Sequence, residues 1–365
     1  MKVLWLFNHP APYKIDFFNE LGKSIDLTIL FERKTESDRP LSFYQSKAKN
    51  FKIIFLKGCP IGKTNDLDFG FIKYLKDPSF DFIVINGWST LTEMTSIRFL
   101  KKHKIPYIFA INGGITPKRE NFIKRKLKNK MISGATSYLC PDKESEKYLL
   151  HYGADSQRIH FYPYSTIFEN EILAAPLSKE EKNALKEELH LPLKDTFVSV
   201  GSYIKRKNPF YLLEEIWPNV DKNKELYLLG SGPLKKKMGK IIQKNKLDNV
   251  HLIPFSNKKL VLKFFALSEA SLFLTNEDIY GHVVNESFSQ GTPVFASYKA
   301  NAAKKLIVPN ENGALFNFNE KEKLITAINS PINEEMKKKT IETAKEYTLE
   351  KMTIDHISYF KSLKK

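Results

Sequence analysis

The sequence contains only two cysteines, Cys59 and Cys140, in 365 residues. Two cysteines can supply neither a disulfide framework nor a cysteine-rich metal cluster. Long apolar runs are also missing, since none approaches the roughly 20 residues of a membrane span. The amino terminus, MKVLWLFNHPAP, has an apolar run of five residues, which is shorter than a secretory signal requires. These absences lead us to expect a cytoplasmic protein.

Two cofactor signatures are incomplete. The residues Gly230-Ser231-Gly232 lack the third glycine and the acidic partner of a dinucleotide fingerprint, which argues against NAD. The tripeptide Asp66-Leu67-Asp68 has the form of a metal-binding acidic pair, but such tripeptides are common by chance. We interpret residues 64–70 as a loop and reject this site. No cofactor and no metal ion are therefore expected.

Acidic residues are outnumbered, with 41 Asp and Glu against 58 Lys and Arg, so the formal net charge is +17. Seven basic residues and one Glu lie in residues 118–130. Apolar residues recur there at helical spacing, at Phe122, Ile123 and Leu127, and then at Met131 just after the segment. This pattern is typical of a basic amphipathic helix at an anionic membrane surface, or of a solvated helix face, and the sequence leaves both open. Aromatic residues lie mostly in strand-like runs, apart from the basic clusters, which argues against nucleic-acid binding.

Short apolar runs alternate with helical stretches along the chain, which predicts parallel sheets covered by helices on both faces. The predicted strands are 3–7, 27–31, 52–56, 82–86, 107–111, 137–141 and 159–163, then 197–201, 226–230, 250–254, 271–275, 292–297 and 314–318. Between the two series, residues 164–195 are polar and predicted helical, and a further helical segment is predicted over 334–363. We therefore expect an α/β protein of two Rossmann-like, doubly wound domains that face a central cleft, with ligands at the carboxyl ends of the strands.

The segment NEDIYGHVVNESFSQGT (276–292) lies between two of these strands and carries the most specific chemical signal. Gly281 is predicted to open a helix of about nine residues whose first amides, at His282, Val283 and Val284, have no intrahelical acceptor. Such amides at the carboxyl end of a parallel strand are suited to phosphate. Asp278 and Glu286 can accept hydrogen bonds from sugar hydroxyls. Together these groups are suited to a nucleotide-sugar.

The same segment resembles the acidic-x7-acidic signature of retaining glycosyltransferases with the glycosyltransferase-B fold, especially family 4. The resemblance extends over nearly the whole chain in the right order. It includes PAPYKIDFFNEL (10–21), DFIVINGW (81–88), IPYIFAINGG (105–114), GSYIKRKNPFYLLEEI (201–216), LYLLGSGPLKKKM (226–238) and EYTLEKM (346–352). It implies an acceptor-binding domain over 1–170, a donor-binding domain over 171–344, and a final helix within 345–365 that crosses back to the first domain.

Position by position, the resemblance implies that Lys207 is the cation on the donor diphosphate, Glu286 the ribose ligand and Asp278 a ligand to the transferred sugar. These three are the candidate catalytic residues. The other candidate donor-binding residues are Gly201, Ser202, Lys205, Arg206, Gly230, Tyr280, Gly281, His282, Val283 and Val284. The candidate acceptor-binding residues are His9, Tyr13, Asn112 and Gly113.

Three residues depart from the usual family pattern: Asp278 replaces a Glu, Ser202 replaces an Arg, and Asn112 stands where His or Asp is common. The implied function is a metal-independent retaining transfer of a sugar from a nucleotide-sugar, with uridine the commonest base, to a saccharide or lipid-linked saccharide in surface-polysaccharide synthesis. Two alternatives remain at this point. One is a nucleotide-sugar epimerase or hydrolase of the same fold, and the other is a non-catalytic partner subunit.

Overall fold

The computed structural model describes residues 1–35, 44, 46–61 and 65–364. The chain divides into two compact units, Met1–Thr166 with Leu349–Lys365, and Ile167–Thr348. Each unit is described separately. Among the described residues, no helix combines the length and the hydropathy needed to cross a membrane.

The first unit is built on a parallel sheet of seven strands in the order β3-β2-β1-β6-β7-β8-β9. Its strands are β1 Lys2–Phe7, β2 Asp26–Phe31, β3 Lys52–Phe55, β4 Cys59–Ile61, β5 Asn65–Leu67, β6 Phe82–Asn86, β7 Ile108–Ala110, β8 Ser137–Cys140 and β9 Ile159–Phe161. Its helices up to residue 166 are α1 Pro12–Leu21, α2 Ile72–Leu75, α3 Leu91–Lys102, α4 Phe122–Ile132 and α5 Lys143–His151.

The central strands of this sheet are apolar because helices cover both of its faces. Residues 3–7 of β1, the strand between β2 and β6, are all buried. Local signals fix the helix starts: Pro12 occupies the first turn of α1, and Thr90 and Glu93 form a capping box at the start of α3.

The second unit is built on a parallel sheet of six strands in the order β12-β11-β10-β13-β14-β15. Its strands are β10 Asp195–Val200, β11 Lys224–Leu229, β12 Val250–Ile253, β13 Ala270–Phe273, β14 Val294–Ser297 and β15 Gly313–Phe316. Its helices are α6 Lys179–Glu188, α7 Pro209–Tyr211, α8 Lys235–Lys244, α9 Lys258–Leu267, α10 Val283–Phe288, α11 Asn301–Leu306, α12 Lys321–Asn329 and α13 Glu334–Lys345. A π-helical turn, Leu212–Ile216, continues α7.

Side-chain alternation divides the core of this unit into two layers. Phe197 and Leu228 belong to the cluster on one face of the sheet, whereas Val198 and Leu229 belong to the cluster on the other. Such double-sided burial is typical of a doubly wound sheet. The last helix, α14 Leu349–Leu363, belongs to the first unit and packs on α1.

The thirteen predicted strands and the α/β class are confirmed. Three predictions are wrong in detail. The loop predicted at 64–70 contains β5, which pairs antiparallel with β4, although residue 64 lies outside the described residues. The stretch 164–195 is α-helical only over α6. The helix predicted over 334–363 is interrupted after Lys345, because Asn285 Nδ2 donates a 2.8 Å hydrogen bond to Tyr347 O and anchors a turn there.

We predict that Phe360→Ala destabilises the first unit by about 3–5 kcal/mol, because truncating a buried aromatic leaves a cavity. Phe360 is fully buried and stacks on Phe82 at a centroid distance of 5.4 Å. Urea denaturation followed by circular dichroism measures the change. Ile354→Ala on the same helix is the control, since Ile354 is 66% exposed. Equal effects of the two variants would contradict the assigned packing of α14.

Candidate functional site

The second unit contains a topological switch point at β10. The chain runs from β10 outward to β11 and β12, then returns to pair β13 with the opposite side of β10. In open parallel sheets, the loops that leave such a pair of strands diverge and create a binding crevice at their carboxyl ends. The loops after β10 and β13 carry most of the candidate donor residues.

The loop after β10 passes very close to the loop after β11. A Cβ atom on Gly230 would lie 2.0 Å from Gly201 O, which no side chain could tolerate. Gly201 N–H donates to Leu229 O, and Gly230 N–H donates to Ile253 O. Glycine at position 230 is therefore a requirement of backbone packing, whatever ligand the site holds.

A short 3-10 turn, Lys205–Lys207, follows in this loop and is bonded to the loop after β13. Thr275 Oγ1 and Asn276 N–H each donate to Arg206 O at 2.9 Å. The Arg206 guanidinium donates in return to Glu277 O at 2.8 Å. These bonds hold the two loops in a fixed register.

The two loops bring two cations to one carboxylate. Lys207 Nζ donates a hydrogen bond to Asp278 Oδ2, and Arg206 Nη1 lies 3.6 Å from the same oxygen. The Lys207 ammonium also lies 4.9 Å from the centre of the Phe273 ring, within cation–π range. Asp278 is only 7% exposed, so its charge is balanced mainly by these two cations. We call Arg206, Lys207 and Asp278 the charge cluster.

Tyr280 and Gly281 connect the charge cluster to α10. Tyr280 N–H donates to Asp278 Oδ1 at 3.3 Å, and the buried Tyr280 ring lies 5.0 Å from the His282 ring. Gly281 adopts φ +104°, and a Cβ atom there would lie 2.7 Å from the Phe273 ring. Gly281 is thus fixed by both conformation and space.

Helix α10 comprises six residues, so the expected length of about nine is wrong. Its start is also tighter than expected, because Val284 N–H closes a turn by donating to Gly281 O at 3.2 Å. This acceptor lies in the turn before α10 and not within the helix. Glu286 lies one turn into the helix, where its N–H bonds to His282 O at 2.9 Å, and its side chain is partly exposed. Val283 is partly buried against the core.

Two residues of the loop after β10, Ser202 and Arg206, take different places in the site. Ser202 lines a small cavity together with Gly201 and Lys207. Arg206, four residues later, brings its guanidinium to the charge cluster. Lys205 is exposed and has no side-chain contact with Asp278 among the described contacts.

Sequence reasoning missed two features of the site. Phe273, the last residue of β13, contacts both Lys207 and Gly281, but it reads as an ordinary strand residue. Asn208 lines the small cavity in a left-handed conformation, with φ 55°. The dipeptide Asn208-Pro209 is a turn signal and could have indicated this.

The candidate acceptor residues lie in the first unit, after β1 and β7. Tyr44 Oη lies 3.3 Å from His9 Nδ1. Asn112 Oδ1 accepts hydrogen bonds from Lys14 Nζ at 2.9 Å and from Tyr162 Oη at 3.3 Å. Gly113 follows directly. Asn112 is thus held in one orientation by its neighbours.

Lys14 is a buried cation that the sequence did not single out. It is 2% exposed, and its ammonium lies 4.7 Å from the Tyr164 ring and 5.8 Å from the Tyr13 ring. Among the described residues, no carboxylate forms an ion pair with it, and Asn112 is its hydrogen-bond partner. Desolvation by burial lowers the pKa of Lys14 to about 7.

Across the described ranges, no group of three or more His, Cys, Asp and Glu side chains is placed to hold a metal ion.

Residues 181–347 match the family model described as "Glycosyl transferases group 1". Two curated proteins of Methanocaldococcus jannaschii are similar over part of the chain: the uncharacterized glycosyltransferases MJ1059, 26% identical over 140 residues, and MJ1178, 27% identical over 153 residues. These alignments cover 38% and 41% of this chain, and 32% and 42% of the two relatives.

Solved structures match over the full chain. Sucrose-phosphate synthase from Thermosynechococcus elongatus gives a TM-score of 0.77 at 14% identity and covers 100% of this chain and 99% of that one. Anabaena HepE in complex with UDP gives a TM-score of 0.77 at 15% identity, and the match covers 99% of this chain and 100% of HepE. WaaG, a glycosyltransferase involved in lipopolysaccharide biosynthesis, gives a TM-score of 0.68 at 15% identity, and the match covers 98% of this chain and 99% of WaaG.

The chain has the glycosyltransferase-B fold. The fold inferred from sequence resemblance is thereby confirmed, and the charge cluster lies within the part that matches the glycosyltransferase group 1 model. Assignment to family 4, and to the polysaccharide-building type, stays a prediction, as do the roles of the candidate residues.

We predict that wild type gains stability relative to Lys14→Met as the pH rises. In the unfolded chain the pKa of Lys14 is about 10.4. In the folded chain burial lowers this pKa to about 7, so the ammonium group loses its proton near neutral pH. Unfolding therefore takes up a proton between these values, so the free energy of unfolding rises with pH in this window and is flat below it. Burial lowers the pKa of the neighbouring His356 to about 4, so it stays neutral here.

Urea denaturation at pH 7 and pH 9 tests this, and the difference between wild type and variant should grow by about 2 kcal/mol. Lys102→Met is the control, since it removes an exposed lysine of the same unit. A constant difference for Lys14→Met would show that Lys14 keeps its proton when folded.

Proposed function

We propose that this chain is a retaining, metal-independent glycosyltransferase. It transfers a hexose from a nucleotide-sugar, most simply a UDP-sugar, to a saccharide or lipid-linked saccharide acceptor during surface-polysaccharide assembly. The reaction breaks the bond between the anomeric carbon and the diphosphate oxygen. The acceptor hydroxyl forms the new bond on the same face of the sugar, and its proton passes to the departing diphosphate.

One observation carries this proposal. The switch point of the unit that matches the glycosyltransferase group 1 model holds Lys207 and Arg206 beside Asp278. A lysine and an arginine in the loop at the carboxyl end of a parallel strand are suited to a diphosphate, since both donate charge-assisted hydrogen bonds to phosphate oxygens. HepE, whose fold this chain shares, has been solved with UDP and with UDP-glucose, which supports a nucleotide-sugar donor.

In this site the cations assist departure of the leaving group. Negative charge grows on the diphosphate as the sugar bond breaks, and positive groups already fixed in place stabilise that charge without reorganisation. The hydrogen bonds between Arg206 O and the loop after β13 supply this fixation. No metal ion is then needed for charge neutralisation.

The carboxylates recognise hydroxyl groups. Glu286 accepts from the ribose diol, and Asp278 accepts from a hydroxyl of the transferred sugar. In the structure Asp278 Oδ2 is bonded to Lys207, so a bound diphosphate competes with Asp278 for this cation and releases the carboxylate toward the sugar. This exchange couples donor binding to formation of the sugar subsite.

The acceptor binds to the first unit near His9, Tyr13, Asn112 and Gly113. Lys14 and Tyr162 both donate to Asn112 Oδ1, which directs the Asn112 amide group as a donor toward an acceptor hydroxyl. Lys14 acts here as a positioning residue.

We predict that Lys207→Ala weakens UDP binding by about 10–100-fold, because it removes a charge-assisted hydrogen bond to the diphosphate. The Asp278 carboxylate would also lose its main partner and repel the ligand. Isothermal titration calorimetry with UDP measures the affinity. Lys222→Ala is the control, as an exposed lysine in the same unit but outside the site.

Unchanged UDP affinity in Lys207→Ala would refute the assigned role of Lys207, and no UDP binding by wild type would support a non-catalytic partner subunit or a different base. Product analysis with UDP-glucose alone separates the remaining alternative. Rapid donor turnover without any acceptor would favour an epimerase or hydrolase over a transferase.

The basic segment 118–130 supports a peripheral contact with anionic membrane, where a lipid-linked acceptor would lie. It folds largely as α4, where Phe122 and Ile123 are 77% and 75% exposed and Lys124, Arg125 and Lys126 are exposed. On the same helix Met131 is buried and Leu127 is partly buried. Two large apolar side chains beside three cations are suited to the interface of an anionic bilayer.

We predict that replacing Lys124, Arg125 and Lys126 by Gln lowers partitioning onto phosphatidylserine-containing vesicles by about 100-fold, at roughly 1 kcal/mol for each charge. Vesicle co-sedimentation measures the partitioning. Replacing Lys235, Lys236 and Lys237 by Gln is the charge-matched control on the exposed start of α8. Equal partitioning of the two triple variants would exclude α4 as the membrane contact.

A further inference from the structure

A second cavity, of about 350 Å³, lies in the second unit at the amino edge of the β10–β15 sheet. Asp195 at the start of β10 lines it, whereas Val200 at the end of the same strand lines the small cavity beside Lys207. A six-residue strand spans roughly 17–20 Å, so this cavity is well separated from the charge cluster. Helices α6 and α13 complete its wall.

The cavity wall is strongly basic. It contains six lysines and three carboxylates: Lys179, Lys182, Lys186, Lys194, Lys224 and Lys337, with Asp195, Glu269 and Glu334. A further carboxylate, Glu225, lies outside the lining and pairs with Lys194 at 2.8 Å. Cationic charge therefore exceeds anionic charge even when this partner is counted.

The carboxylates are shared among the lysines. Glu269 bonds to both Lys182, at 2.7 Å, and Lys337, at 2.8 Å. Lys182 and Lys337 are each 5% exposed, so two buried ammonium groups share this carboxylate. Lys337 also pairs with Glu334 at 2.7 Å, and Lys182 also donates to Ser268 O at 3.2 Å. Each ammonium has three N–H donors, so these contacts account for two donors of each and leave capacity for an anion.

Lys186 is the buried cation of this wall with the fewest contacts. It is 4% exposed, and its ammonium contacts Lys194 O at 2.7 Å, with no carboxylate within ion-pair distance among the described residues. Burial lowers the pKa of Lys186, which reflects this unbalanced charge. Glu269 and Asp195 act on this ammonium only from beyond ion-pair distance. A buried cation with no carboxylate in direct contact is costly, and an anion bound beside it would reduce that cost.

We propose that this cavity is a binding site for a small phosphorylated molecule, whose phosphate or diphosphate group contacts Lys186, Lys182 and Lys337. The volume is in the range of small-molecule sites, which begins at about 300 Å³. Phe197 and Ile332 supply an apolar wall for the organic part of the ligand. This site is independent of the proposed glycosyl transfer, since no residue of the charge cluster lines it.

Pyrophosphate is the probe, with inorganic phosphate as the smaller anion, and calorimetry on the full chain measures the affinity. Lys186→Met should weaken pyrophosphate binding by about 10-fold or more, because it removes a charge-assisted contact. In anion-free buffer the same variant should be at least as stable as wild type, because it removes a buried unpaired charge. Lys338→Met on α13 is the matched control, as an exposed lysine next to Lys337.

Lys179→Glu is a second variant, and it changes no buried side chain. Lys179 is exposed and is the first residue of α6, where a glutamate is favourable for the helix. It should weaken pyrophosphate binding by charge reversal at the cavity rim. Wild-type affinity in both Lys186→Met and Lys179→Glu would overturn the proposal, and destabilised Lys186→Met with unchanged affinity would assign Lys186 a structural role.

Pyrophosphate could also bind at the charge cluster, so Lys207→Ala is measured in parallel. Binding that is lost in Lys207→Ala but kept in Lys186→Met would place the anion at the carboxyl edge and refute the second site. Binding lost in Lys186→Met and kept in Lys207→Ala would support it, whatever the outcome for UDP.

Discussion

The parallel pairing of β10 with β13 is the constraint on which the candidate site depends. It brings Lys207 and Asp278, which are 71 residues apart in sequence, into one charge cluster. The loops that carry them are joined by hydrogen bonds to Arg206 O. Gly230 permits the close approach of Gly201 O, and Gly281 permits that of the Phe273 ring. A diphosphate would meet cations that are already fixed in position, which is the condition for electrostatic catalysis.

Buried lysines recur in both units, and they serve different purposes. Lys14 fixes the amide of Asn112 and is balanced by aromatic rings, whereas Lys182 and Lys337 share one carboxylate. Among the described residues, Lys186 donates to a backbone carbonyl, Lys194 O, and contacts no carboxylate. The overall charge of +17 therefore does not describe a uniform basic surface. Part of it is concentrated inside the protein, where each charge has a stronger effect than in water.

Local patterns predicted much of the fold, because buried parallel strands read as short apolar runs between turn signals. They failed where a long-range contact overrides periodicity. The break between α13 and α14 depends on the bond from Asn285 to Tyr347. The pairing of β4 with β5 was missed for another reason, since strands of three residues are too short to show an alternating pattern. At α4 the helix predicted from periodicity is present, and the tertiary structure leaves Phe122 and Ile123 exposed on it.

The sequence by itself determined the α/β class, the positions of the strands and the spacing of Asp278 and Glu286, because each of these depends on residues close together in the chain. Tertiary structure decided that Arg206 reaches Asp278, that Lys14 holds Asn112, and that lysines from α6, α13 and two strand ends surround one cavity. These contacts arise from the order of strands in a sheet and from burial. Neither property can be read from the spacing of residues along the chain.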